Sequence, residues 1–143
     1  MLARPPLNGN CTLVLDATGC GRPVADMFQA LHPVGVLIVG GLDTEARDWQ
    51  SGSGYWHVSK IILVSRLQAL LHSDQLRIAK HLPEAKLLAL ELANFRANIS
   101  EAGYATFGAR VGKHDDLLLA LALACWWLAR RGRSNFTVAP LEL

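Results

Sequence analysis

Two adjacent carboxylates and an imidazole stand at the entrance to a strongly apolar segment: Lys113-His114-Asp115-Asp116, followed by Leu117 to Ala129. Asp115 or His114 can serve as N-cap of a helix that starts here, since a side-chain acceptor satisfies orphan backbone amides. The positive end of the helix dipole also favours acids at this spot. Turned into a cleft, one of the same acids would hold a divalent metal through hard oxygen atoms. A second lone acid, Asp16, ends the apolar run Thr12-Leu13-Val14-Leu15. Such a run marks a strand covered on both faces, and ligands of open α/β sheets gather beyond the carboxyl ends of strands. Asp16 is thus placed either to accept N–H groups of the turn Thr18 to Gly21, or to meet a metal, a ribose hydroxyl or a proton.

Other chemistries are less well supplied. Gly19-Cys20-Gly21 offers backbone amides for a phosphate at a helix start. It is no dinucleotide fingerprint, because Val24 stands where the third glycine belongs, and no Walker loop, because Gly-Lys-Ser/Thr is missing. The histidines, His32, His57, His72, His81 and His114, share no H-x₃-H spacing and no cysteine lies at zinc-ligand spacing. Ser51-Gly52-Ser53-Gly54 is a flexible loop and not a nucleophile elbow. Trp126-Trp127 read as core packing more than as a stacking platform for bases, with one of the pair turned outward from its helix.

The elements that must position these residues follow from periodicity. The strand ending at Asp16 leads through a glycine-rich turn to Pro23, which suits a first helical turn. Val24, Met27, Phe28 and Leu31 give that helix an i, i+3, i+4, i+7 stripe expected to face the core. His32-Pro33 ends it, and Val34 to Val39 is a second buried strand. Strand, helix and strand in this order make a parallel crossover. Gly40 to Gly54 reads as a polar loop, Tyr55 to Val58 as a short edge strand, and Lys60 to His72 as a helix. Gln75 to Ala79 alternates, as a half-exposed strand or extended segment does. Pro83 opens a helix with Leu88, Leu92, Phe95 and Ile99 along one stripe. Glu101 to Tyr104 is a turn into a short strand at Thr106-Phe107-Gly108, and the acidic helix follows. Leu2 to Arg4 reads as the end of a helix stopped by Pro5-Pro6, Leu7 to Asn10 as a turn, and Ser134 to Leu143 as a tail without pattern.

Composition narrows the class. The 143 residues suit one domain or part of one, and 51% are hydrophobic, enough for a real core. The 13 apolar residues Leu117 to Ala129 fall short of the roughly 20 that cross a bilayer. The first residues contain no hydrophobic stretch of a signal peptide, and three cysteines without a pairing pattern suit a reduced, cytoplasmic chain. Net charge is +2 but uneven: acids exceed Lys and Arg five to three up to Val58, and Lys and Arg exceed acids eleven to seven from Ser59. Lys60, Arg66, Arg77, Lys80, Arg110 and Lys113 would line a path for a polyanion.

The run Leu13 to Val24 is similar to the strand, turn and helix of the nuclease domain of phage and prophage terminase large subunits. Gly112-Lys113-His114-Asp115-Asp116-Leu117, up to Trp126, resembles the closing helix of that domain. Val58-Ser59-Lys60, Leu76 to Ala79, Glu91 to Phe95 and Tyr104 to Gly108 fall in the same order between them. The resemblance implies an α/β, RNase H-like fold whose partly parallel sheet is flanked by helices, in a bacterial host's cytoplasm. It implies cleavage of double-stranded DNA during genome packaging, by carboxylates around two Mg²⁺ or Mn²⁺ ions. Asp16 matches one catalytic and metal-binding acid and Asp116 or Asp115 another, with Asp116 favoured because its helical face is shared with Ala120 and Leu123. Lys60, Arg110, Lys113 and His114 would contact the phosphate backbone. The family sets three strands and a leading acid before the strand of Asp16. Residues 1–133 are therefore expected to form an incomplete domain, weak or inactive, followed by the tail 134–143. An open sheet edge would pair with another copy or another chain. The rival expectation is a non-catalytic α/β binding or structural module, a prophage remnant.

Overall fold

The computed structural model describes residues 11–40, 45–48, 54–99, 105–109 and 115–131. Four short strands make one mixed sheet. β1 (Val14–Asp16), β2 (Val34–Val39) and β4 (Trp56–Ser59) run parallel, β3 (Glu45–Arg47) pairs antiparallel with β4, and the order is β1-β2-β4-β3. A strand turns alternate side chains to opposite faces, so a sheet of this kind must be covered twice. Val14, Val34, Val36, Ile38, Trp56 and Val58 face one layer, built from α2 (Lys60–His72) and α4 (Asp116–Arg130). α3 (Ala85–Asn94) joins that layer through Leu92. Leu15, Leu37 and Tyr55 face the other layer, where Ala25 of α1 (Gly21–Met27) packs on Ala17.

The centre of the main layer is Trp126, fully buried, with its ring edge against Trp56 at 5.7 Å between centroids and 72° between planes. Leu63, Leu67 and Leu118 complete it. Trp127 is only half-buried, so the outward member of the tryptophan pair is the second one. Beyond Trp56, the Arg130 guanidinium lies 3.8 Å from the centroid of the indole and is ion-paired with Glu45.

Several expectations change. The stripe Val24, Met27, Phe28, Leu31 faces solvent, Met27 being 81% exposed, and Ala25 alone among the helix residues is buried. The tight turn sets this rotation: a Cβ on Gly21 would collide with the Asp16 carbonyl, so the first turn of α1 lies directly over the strand end. Small Ala25 then meets Ala17, and the larger residues are turned away. The segment from Tyr55 is an interior strand and not an edge, because β3, inside the expected loop, pairs along it. Gly35 is needed here, since a Cβ would overlap the Tyr55 ring. The helix that starts near Pro83 ends at Asn94. Phe95 takes ψ 127°, and β5 (Phe95–Ile99) pairs antiparallel with β6 (Ala105–Ala109) where the helical stripe was extrapolated. Gln75 to Ala79 has no regular secondary structure and joins no ladder, with Leu76 and Ile78 as its half-buried residues. α2 has the expected bounds. Leu2 to Asn10, Glu101 to Tyr104 and the tail lie outside the described residues, as does much of Gly40 to Gly54. Among the described residues no helix is long and apolar enough to cross a membrane.

Burial in this layer raises the ionisation range of the Cys125 thiol, whereas Cys11 and Cys20 are exposed. Raised in the folded chain, that group favours folding below the ordinary thiol range and loses this contribution as pH rises above it. Thiol titration at pH 8 is expected to modify Cys11 and Cys20 at once and Cys125 only on unfolding. Three equally fast thiols would contradict the packing of α4.

Candidate functional site

The parallel strands point toward one rim, which β2 and β4 reach at Val39 and Ser59, whereas β1 ends at Asp16, level with Val36 and Trp56. Val14 packs into the α2/α4 layer and Leu15 into the α1 layer, so the pleat turns Asp16 back to the α4 side. It is exposed there, and its Oδ1 accepts the Thr18 N–H at 2.8 Å. Thr18 in turn accepts the Ile38 N–H on Oγ1 at 2.8 Å, which ties the turn to β2. The backbone reading of Asp16 is therefore realised with one oxygen. Gly19 takes a positive φ of 58°, and the Gly21 N–H donates to the Thr18 carbonyl, so the turn folds on its own groups. α1 has only seven residues and no side-chain cap.

β4 passes into α2 at the same rim. Ser59, fully buried, is the N-cap, with extended backbone and its Oγ accepting the Ile62 N–H at 3.4 Å. Lys60, the first helical residue, reaches Asp115: Nζ and Oδ2 are 2.7 Å apart, and both side chains are largely buried. The same ammonium lies 5.6 Å from the centre of the Phe95 ring. Lys60 was expected on the phosphate path. Its charge is shared with a carboxylate here, and any phosphate contact must compete with that pair.

Asp115 is the N-cap of α4, one of the two residues sequence allowed, yet its side chain makes no capping bond. The Leu118 N–H donates instead to Oε2 of Glu91 at 2.8 Å, and Glu91 is only 5% exposed. Asp116, in the first turn, is exposed. Of the two residues expected to share its face toward the sheet, Leu123 is buried and Ala120 is not. Ala120, Ala124, Trp127, Leu128 and Arg131 border a groove of about 370 Å³ against Cys11 to Val14. The C-terminal half of α4 thus lies beside the start of β1. The helix runs opposite to that strand, and its start lies beyond the end of β4, where Asp115 meets Lys60.

Lys60 and Asp115 are brought into contact, whereas Asp16 ends its strand three residues short of the level of Ser59. By register Asp16 stands level with Val36 and Trp56, so Lys60 lies two strand spacings across and four residues, about 13 Å, farther along the strands. Among the described residues no three His, Cys, Asp or Glu side chains gather as a metal-holding group. Arg110, Lys113 and His114 lie outside the described residues. Glu91 escaped the sequence reading. The signal was present: it stands three residues after Leu88 and four before Phe95, on the stripe read as buried, and an acid there requires a buried donor.

Comparison with known proteins returns nothing: no family profile, no curated relative and no solved structure matches this chain.

The Lys60–Asp115 pair keeps some exposure to solvent, so a double-mutant cycle with Lys60→Met and Asp115→Asn is expected to give a coupling of about 1 kcal/mol in chemical denaturation. A coupling indistinguishable from zero would mean that the two side chains do not hold each other in solution.

Proposed function

We propose that this chain carries the later part of an RNase H-like, metal-dependent DNA endonuclease domain, of the kind found in phage terminase large subunits. One observation supports the reading above the others. Asp16 and Asp116, far apart in sequence, both stand toward the carboxyl ends of parallel strands on the side that α4 covers, where such sheets bind ligands. The donors suit Mg²⁺ or Mn²⁺ in kind, being exposed carboxylates rather than thiolates or imidazoles. Asp16 and Asp116 would hold the metal, and Asp115, committed to Lys60, would act from beside it. The bound ion supplies positive charge to the scissile phosphate and lowers the pKa of a coordinated water. The chain's own residues orient the duplex: Lys113, His114 and Arg110 would meet phosphate oxygens without reading bases. Asp115 keeps Lys60 from binding the phosphates at random. With Asp16 set short of the strand ends of β2 and β4, metal affinity and cutting by this chain are expected to be weak.

A second reading has its own support. Lys60 neutralises one of the candidate acids, as a structural ion pair would, which suits a non-catalytic α/β binding module. Incubation with supercoiled plasmid and Mn²⁺ separates the two. Slow nicking by the parent chain, lost in Asp16→Asn and in Asp116→Asn, is the expected result. Nicking that survives both substitutions removes these acids from the chemistry.

The same reading has an outlet at β1. Leu13 accepts the Val34 N–H and Ala17 donates to the Val36 carbonyl, so the alternate residues Val14 and Asp16 turn their backbone groups away from β2. We propose that a second copy pairs along this edge. Sedimentation velocity over a hundredfold concentration range is expected to show a monomer–dimer equilibrium, weakened by Val14→Pro, which removes an outward N–H. A single monomeric boundary throughout would exclude the pairing.

A further inference from the structure

We infer that Glu91 is the positioning residue of the Asp115–Asp116 pair, acting by taking the capping bond of α4 away from Asp115. The two helix starts at this rim show the division of labour side by side. At α2, Ser59 has the extended backbone of an ordinary N-cap, φ −69° and ψ 142°, and its own Oγ accepts the N–H three residues on. At α4, Asp115 has φ −134° and ψ 23°, and its carboxylate makes no such bond. The N–H three residues on, that of Leu118, is bonded at 2.8 Å to Glu91, 27 positions back on α3. Asp115 would otherwise be an excellent cap for its own helix. Relieved of that bond, its Oδ2 turns to Lys60 at 2.7 Å.

Burial says why the borrowed acceptor matters. Glu91 is 5% exposed, and an acid so placed is tolerated only with donors fixed around it. The first turn of α4 supplies amide donors and the positive end of the dipole. Glu91 cannot move without leaving the Leu118 amide bare, and α4 cannot rotate or fray at its start without leaving Glu91 bare. Phe95, one turn after Glu91, carries the ring beside the Lys60 ammonium. The α3 end therefore holds both partners of the rim: the helix start through Glu91 and the lysine through Phe95. Asp116, the next residue after Asp115, takes its direction from the same bond. Glu91 needs no contact with phosphate or cation to do this. Its consequence for cation binding rests on the nuclease reading above, and its consequence for Asp115 does not.

The test follows the Lys60 ammonium by ¹H–¹⁵N NMR in the folded chain, with Asp115→Asn as the reference for a broken pair. In Glu91→Ala, Asp115 is expected to turn back and cap Leu118, and the Lys60 signal to move to the Asp115→Asn position. In Glu91→Gln, which keeps the acceptor, the signal is expected to stay where it is in the parent chain. Should Glu91→Ala fail to fold, Glu91→Asp, which shortens the reach by one methylene and nearly keeps the volume, is expected to give the same movement. An unmoved Lys60 signal in the Ala or Asp variant overturns the assignment, and so does a Gln variant that behaves like Ala. A parallel Mn²⁺ titration, read as broadening of the Asp116 amide, is expected to lose about tenfold in affinity in the Asp variant and little in the Gln variant. Absence of any Mn²⁺ broadening in the parent chain counts against the nuclease reading, while the Lys60 signal still decides the role of Glu91.

Discussion

A parallel sheet has no face to leave in water. Val36 and Val58, at the middle of β2 and β4, are shut off from solvent by Trp126, Leu63 and Leu118, and the rest of the architecture is arranged around that closure. α2 and α4 must lie together on one side for their large side chains to meet over these valines. Once they do, both helices begin at the carboxyl ends of the strands. Lys60 and Asp115, each at a helix start, are neighbours for that reason, and the rim chemistry is a by-product of how the core is sealed.

Polar groups at the rim are then sorted by which amide each can reach. Ser59 closes its own helix, Glu91 closes a neighbour's, and Asp16 closes a turn through Thr18. The three acceptors leave different amounts of charge at the surface. Asp115 is paired with Lys60, and Asp16 and Asp116 are exposed at the surface.

Much of this could be read before any coordinates. The crossover from β1 through α1 to β2, the bounds of α2 and the start of α4 follow from apolar runs, prolines and a capping acid, which are local signals. The failures share one physical origin, which is that the outcome was set by a distant partner. Tyr55 to Val58 looks like an edge until β3 pairs with it from inside a polar loop. Phe95 and Ile99 continue a helical stripe, but their backbone groups are taken by β6 instead. Val24, Met27, Phe28 and Leu31 satisfy every rule of amphipathic spacing, yet the turn at Gly21 decided which side of α1 touches the sheet. The site divides likewise. Asp16, Asp115 and Asp116 were visible as acids at element boundaries, whereas the bond from Glu91 to Leu118 joins two helices and leaves only an acid on an apolar stripe as its trace.

α4 is secured at both extremities. Its first turn is gripped by Glu91, and its last is stacked on Trp56 and ion-paired with Glu45 through Arg130, while Trp126 sits between as an immobile bearing. Fifteen residues of continuous helix form a rod of about 22 Å. Along the rod, Trp127 and Arg131 border the groove beside β1. Pressure applied in that groove is delivered to a stiff beam whose far tip carries Asp115 and Asp116. The beam gives the molecule a mechanical line from its sheet margin to its acidic end, with no intervening loop to absorb the strain.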